Sequence, residues 1–296
     1  MTDHYLTEER RMIQDVAREF TRREVLPVAN ELDPIQGDIP MDLRNKMGEM
    51  GYFGIRMPEE FGGLGLGVFE YCLIAEELAR GWMSVASIIA RASSLMAVGG
   101  WPEDKRRELT AKAARGEYLA AVALSEPNVG SDLAAVSCRA VLDGNEWVIT
   151  GNKYWCTFAD GADYIQLLAR VERPDESNAR YSGLRSFIIE KPRGELPAGC
   201  SGSPIPKIGY FGWKTWELAC DGCRIPKENI ITGGSTEGFK NTVSFLNAAR
   251  AHTAARSIGL ARGALEDAMT YAHERVQFGV PIADFQETRF KIARMA

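Results

Sequence analysis

The sequence predicts an α+β multidomain protein: an N-terminal α-helical domain over residues 1–120, a middle antiparallel β domain of barrel or sandwich type over 121–235, and the start of a C-terminal helical bundle over 236–296. Three observations predict it. Apolar residues recur at helical spacing towards both ends of the chain. Between them the period changes to alternation broken by Gly- and Pro-rich turns. A length of 296 residues also suggests about two domains. Hydrophobic residues at 45% and charged residues at 25% are ordinary for a globular protein, which excludes collagen, coiled coil or disorder for the whole chain. No apolar run reaches the ~18 residues that read as a membrane span, and the charged N-terminus does not read as a signal peptide. Six cysteines are too few for a disulfide scaffold and predict reduced thiols in a cytoplasmic setting. A net charge of -5 argues against a nucleic-acid binder.

In the first domain, Leu6, Met12, Ile13, Val16 and Phe20 form a helical stripe, with Thr7 as cap, Glu8 and Glu9 in the first turn, and Pro27 beyond the end. Pro40 opens a second helix, whose stripe of Leu43, Met47 and Met50 ends at Gly51. The run Phe61–Gly67 cannot be helical and reads as a structural turn before a helix over Val68–Arg80. Trp82–Val98 is a long apolar stretch, and Pro102–Ala114 a short helix. In the middle domain, Val136–Leu142, the turn dipeptide Asp143-Gly144 and Trp147–Thr150 predict a hairpin. Further strands are expected at Tyr164–Arg170, Ser186–Glu190 and Trp216–Cys220, with loops over Pro174–Ser182 and Pro192–Pro206. From Gly238 the helical period returns. Phe239, Val243, Leu246 and Arg250 share one face, and the many small residues that follow permit close packing. Gly279 and Pro281 interrupt the pattern, and Phe285–Ala296 opens a helix without a stop signal, which predicts a truncated chain.

The three histidines, His4, His252 and His273, are too scattered for a metal cluster. Cys220 and Cys223 form a lone C-x-x-C without a second pair, better read as strand-end thiols than as zinc ligands, and no metal is expected. The Gly-rich run lacks the Lys-Ser/Thr of a phosphate-binding loop. More informative is Ala121–Leu133, a strand entering a polar turn with Gly130 and Ser131, where backbone N–H groups can grip an anion or a heterocycle edge. The other reading is a plain strand-to-loop junction. In Lys153–Asp163, Trp155 offers a flat face, and Thr157 lies two residues on, at the same side of a strand. A planar cofactor with a hydroxyl at its edge fits this pattern, and so does a Trp in a β core.

Together these segments resemble the acyl-CoA dehydrogenase family of flavoproteins. The resemblance rests on Pro58–Gly65, Leu124–Asp132, Asn152–Thr157 and Glu274–Gly279, in family order over nearly the whole chain. It implies FAD between the β domain and the C-terminal helices. Val122, Ala123, Leu124, Ser125, Gly130 and Ser131 would meet the flavin, with Ser131 also near the CoA substrate. Trp155 and Cys156 would flank the ring and Thr157 would hydrogen-bond near N5. Arg275, Gln277, Phe278, Phe285 and Gln286 match a patch that reaches the FAD of a neighbouring subunit, which implies a homo-oligomer, a dimer or tetramer. Asn247 and Arg250 match positions touching CoA, although the family usually has Asp where Asn247 stands. The implied reaction removes the α-proton of an acyl-CoA and sends the β-hydride to the flavin, and electrons then pass to an electron-transferring flavoprotein.

The chain departs from the pattern at the base. Most members carry the catalytic Glu later in the C-terminal domain, which places it beyond Ala296. A minority branch carries it at the position of Ala249, which takes no proton. The expectation is a piece of an active dehydrogenase that lacks its own base. Arg91, inside the apolar run Ile88–Met96, needs a partner. That partner is either a carboxylate of the protein or a second carboxylate on the acyl group. The runs Arg80–Ser87 and Gly209–Glu217 are similar to members that oxidise 2-substituted succinyl-CoA esters such as methylsuccinyl-CoA. Other readings are a non-catalytic flavin- or partner-binding subunit and an acyl-CoA oxidase, which oxygen consumption would separate. The branch linked to DNA alkylation response gains no support from the net charge.

Overall fold

The computed structural model describes residues 5–171, 183–231 and 237–296, and side chains throughout these except at 237–245. The expected loop Pro174–Ser182, the domain boundary at 235/236 and the side chains of Phe239 and Val243 lie outside the described residues.

The N-terminal layer is helical: α1 (Glu8–Phe20), α2 (Leu26–Leu32), α3 (Met41–Glu49), α4 (Val68–Gly81), α5 (Met83–Ile88) and α6 (Glu103–Ala114). Thr7 caps α1 by accepting the Arg10 N–H at 3.3 Å. The buried face of α1 is Ala17 and Phe20, with Ile13 half-buried; Met12 and Val16, expected inside, are exposed. Pro27 does not end the helix. A π turn over Thr21–Val25 joins α1 to α2 and places Pro27 in the first turn of α2, where its missing N–H costs little. The Gly-rich run is the structural turn expected. Gly62 adopts φ +78°, and a Cβ on Gly63 would overlap the Met57 carbonyl.

The middle layer contains β1 (Ala120–Ala123), β2 (Arg139–Asp143), β3 (Glu146–Thr157), β4 (Tyr164–Arg170), β5 (Leu184–Glu190), β6 (Cys200–Pro204) and β7 (Thr215–Pro226). They form one curled sheet, ordered β1-β4-β2-β3-β7-β6, with β5 also on β4. Two details correct the sequence expectation. The sheet is not wholly antiparallel, because β1 pairs with β4 in parallel and β2 meets β4 in parallel at Arg139/Arg170. The 40-residue interval between β1 and β4 allows that crossover. The hairpin turn is also one residue later than expected: Asp143 pairs with Glu146, so Gly144, at φ +62°, and Asn145 make the turn. β6 falls inside the expected loop. Its small, exposed residues carry no period, and pairing with β7 alone makes it a strand.

The C-terminal segment is one long helix, α7 (Glu237–Glu274), a ribbon of β8 (Val276–Gln277) and β9 (Val280–Pro281), and α8 (Gln286–Met295). α7 crosses α4 closely. A Cβ on Gly259 would collide with the Glu76 carbonyl, which explains the small residues there. Around that crossing Arg262 pairs with Glu76 and the fully buried Glu77, each at 2.5 Å, and Arg18 reaches Glu77 at 3.0 Å. The main core runs without a break from α1, α3, α4 and α5 into β1, β3 and β4. Helices and sheet therefore act as one support for whatever lies between them.

Candidate active site

Strand β3 breaks its register with β7 between Lys153 and Cys156, where one extra residue forms a β-bulge. Trp155 sits in that bulge at φ +62°, a costly conformation for a bulky residue. It is 56% exposed, while Cys156 beside it is fully buried. Burial pushes the Cys156 thiol up to about 12, so it stays protonated. Thr157, half-buried, exchanges a hydroxyl hydrogen bond with Thr215 at 3.1 Å. An indole turned outward at the cost of backbone strain, with a hydroxyl two residues on, is a platform rather than a core packing residue.

The polar turn after β1 is locked to this platform. The Tyr154 N–H donates to the Ser125 carbonyl at 2.9 Å. Beneath it lies a buried ion pair: Lys153 Nζ donates to Glu126 Oε1 at 2.9 Å and to the Leu124 carbonyl at 3.0 Å. Glu126 also accepts the Ser137 N–H and hydroxyl at 2.8 and 2.7 Å and the Cys138 N–H at 2.9 Å. Burial alone would raise the Glu126 carboxyl. The Lys153 ammonium and these donors outweigh it and hold the carboxyl below its usual range. Glu126 and Val129 exchange backbone hydrogen bonds, so Pro127 and Asn128 form an exposed tip; Val129 is half-buried against Val136, Leu168 and Leu184, and Gly130 and Ser131 after it are exposed. No atom lies within 4 Å of where a Gly130 side chain would begin, leaving room for a group to approach the backbone.

A cavity of about 370 Å³ lies between the helices, the sheet and α7. Tyr71, Ile89, Ala90, Gln166, Ser186 and Ala249 are on its walls. Ser186 Oγ is buried there with no hydrogen-bond partner among the described residues. Arg91, on the same chain segment as Ile89 and Ala90, is half-buried with its guanidinium 5.2 Å from the Trp213 ring centroid. Its charge reaches Cys156, between Trp155 and Thr157. Asn247 and Arg250 face solvent on α7, and Arg250 Nη1 donates to Asn247 Oδ1 at 2.8 Å.

Family profiles cover these elements in order: the acyl-CoA dehydrogenase N-terminal domain matches residues 7–117, the middle domain 121–223 and the C-terminal domain 236–296. The chain belongs to the acyl-CoA dehydrogenase family. It is 41% identical to (2S)-methylsuccinyl-CoA dehydrogenase of Cereibacter sphaeroides, over 98% of this chain and 54% of that protein, so it spans about half of that relative. A chain solved in work on the electron transferring flavoprotein of Acidaminococcus fermentans superposes with TM-score 0.85 at 34% identity, covering 99% of this chain and 76% of that one. A glutaryl-CoA dehydrogenase from Mycobacterium smegmatis, solved in complex with FADH2, superposes with TM-score 0.85 at 25% identity, covering 99% and 72%.

Within this acyl-CoA dehydrogenase frame, the sequence-predicted residues fall into three groups. Val122 and Ala123 end β1, Leu124, Ser125, Gly130 and Ser131 follow it, and the segment joins the stretch of Trp155, Cys156 and Thr157 through the Lys153 and Tyr154 contacts. Asn247 and Arg250 pair on α7. Arg275, Gln277, Phe278, Phe285 and Gln286 form a third group, on the ribbon whose packing is against α7 and at the start of α8. There Phe278 is 94% exposed and its ring meets Phe285 edge-on at 6.2 Å. No carboxylate pairs with Arg91 among the described residues, and its Nε is buried with no hydrogen-bond partner there. Cys220 and Cys223 are buried on β7 and all six thiols are free; Cys200 Sγ lies 3.2 Å from Cys220 Sγ. No group of three metal-ligating side chains occurs among the described residues, and no helix among them is long and apolar enough to cross a membrane.

Sequence reasoning missed the Glu126–Lys153 pair, although both residues lie inside the quoted motifs. The available signal was that a Lys in a β-strand of apolar surroundings requires a buried acid.

Proposed function

We propose that this protein is an FAD-dependent acyl-CoA dehydrogenase acting on a 2-substituted succinyl-CoA ester. The observation that carries the reading is Trp155, held outward at φ +62° beside Thr157 and locked to the Ser125–Ser131 turn. When bound, FAD supplies the acceptor for the β-hydride. Trp155 stacks on its ring, Thr157 Oγ1 orients its reactive edge, and the turn N–H groups hold its polar rim. Ser131, Asn247 and Arg250 hold the CoA portion. The acyl group enters the cavity next to Ala249, and the Arg91 guanidinium receives a second carboxylate. Relatives whose names carry dicarboxylic acyl groups support that substrate class. The described walls of this cavity include no carboxylate, so the acceptor of the α-proton comes from outside them. The exposed Phe278 and its ribbon cover a second subunit's cofactor, making a homo-oligomer. An electron-transferring flavoprotein takes the electrons.

The test is product analysis. Native FAD-loaded protein, given methylsuccinyl-CoA and an artificial electron acceptor without oxygen, is expected to yield a thioester two hydrogens lighter. Hydrogen peroxide formed in air at the same rate would instead favour the oxidase reading. No unsaturated product from any acyl-CoA would contradict the proposal.

A further inference from the structure

Strand β7 carries Cys220 and Cys223 three residues apart, a spacing that a regular strand divides between opposite faces. A second β-bulge brings them to one face. Thr150 pairs with Asp221 and Ile149 with Cys223, so Gly222, at φ +70°, is the extra residue. Leu218, Cys220, Cys223 and Ile225 are therefore all buried, with exposed residues between them. On β6, Cys200 lies directly opposite Cys220. The Asp221 N–H donates to the Gly199 carbonyl at 2.9 Å, so Cys200 and Cys220 beside it make a pair without mutual backbone bonds, the kind in which facing side chains come closest. Cys200 Sγ donates to Cys220 Sγ at 3.2 Å and also hydrogen-bonds Cys223. Of these three sulfurs only Cys200 is half-buried; Cys220 and Cys223 are 4% and 1% exposed. Residues 201–204 of β6 are all exposed, so solvent meets the cluster at Cys200. The Cys200 S–H outweighs burial at Cys223 and holds that thiol below its usual range, while Cys200 as the donor is pushed up. Cys138 and Cys156 differ: burial pushes both up to about 12.

We propose that Cys200, Cys220 and Cys223 form an oxidation site for hydroperoxides, in which Cys200 is the thiol that reacts and Cys220 the one that resolves it as a cross-strand disulfide. In the first step Cys200 Sγ attacks a peroxide oxygen. An S–O bond forms, the O–O bond breaks, and the thiol proton, relayed by Cys223, ends on the leaving water or alcohol. In the second step Cys220 Sγ attacks the Cys200 sulfur. The S–S bond forms, the S–O bond breaks, and the hydroxyl leaves as water with the Cys220 proton. The two sulfurs lose two electrons in all, and the peroxide takes them. Directly opposed strand positions suit the bridge, because their separation lies within the span of a disulfide. The product ties β6 covalently to β7, the strand it already pairs with.

The test is thiol mapping on the native protein. Hydrogen peroxide is added, the reaction is stopped, free thiols are alkylated under denaturant, and the digest is read by mass spectrometry. The wild type is expected to lose two of its six thiols and to yield a Cys200–Cys220 peptide pair two hydrogens lighter than the two free peptides, with full recovery in dithiothreitol. Cys200→Ser, a near-isosteric change at a half-buried position, is expected to leave Cys220 and Cys223 reduced at the same peroxide dose. Cys72→Ser, which removes the other half-buried thiol, on α4, is expected to form the disulfide as the wild type does. Thermal unfolding of both variants checks that the fold is kept. Oxidation of Cys72 without a disulfide, a disulfide that joins Cys220 to Cys223 and leaves Cys200 free, or a Cys200→Ser protein that still loses two thiols would each overturn the proposal. So would a Cys200–Cys220 bridge that forms only once the protein is unfolded. The outcome stands apart from the dehydrogenase reading, since peroxide itself is the probe and no flavin chemistry is needed.

Discussion

Lys153→Met is expected to lower the unfolding free energy by about 3–5 kcal/mol, because it strands the Glu126 carboxylate in the interior. Both side chains are almost wholly buried, at 0% and 4%. The change removes the ammonium that offsets Glu126 and also the donor to the Leu124 carbonyl. The variant should therefore lose flavin along with stability, since Leu124 and Ser125 lead into the proposed flavin-facing turn. Adding Glu126→Gln removes the stranded charge, and the double variant should regain a large part of the loss. Urea unfolding of the four proteins measures this. The pH dependence has a defined sign. The Glu126 carboxyl is held below its ordinary value of 4.5 in the folded state. Its contribution is present above that value and is lost as pH falls through the lower folded value. Single losses that add simply in the double variant would refute the coupling.

Trp155→Gly should act in opposite directions on stability and on binding. Glycine adopts φ +62° without the cost a bulky residue bears, so the cofactor-free protein should gain about 1 kcal/mol. The indole is already 56% exposed, so little packing is lost to offset that gain. Flavin affinity should fall by about tenfold, the scale of one aromatic stacking contact. Thermal unfolding without cofactor and FAD titration by fluorescence give the two signs. A Trp155→Gly protein that is less stable and binds FAD as before would mean that the indole is a packing residue.

Much of this fold is legible in the sequence where local pattern decides. Tyr164–Arg170 is a strand in both, and Thr7 caps α1 as its position before Glu8 and Glu9 predicts. Tertiary pairing is less legible. β6 is a strand because β7 offers it partners, and β1 lies parallel to β4 because of a connection that no local period records. Pro27 looks like a stop, but the π turn before it absorbs the proline. At the site, the flat face of Trp155 is visible as a residue, whereas the bulge that exposes it is a property of its register with β7. Arg91 is conspicuous as a charge in an apolar run.

The central claim is that the Trp155 platform and the Ser125–Ser131 turn hold a flavin beside an acyl-CoA cavity. The most direct measurement is the visible spectrum of the purified native protein, recorded alone and after methylsuccinyl-CoA is added without oxygen. The account predicts flavin bands that bleach on addition, and that are weakened or absent in Lys153→Met. A folded wild type that is colourless and does not quench added FAD fluorescence would contradict it.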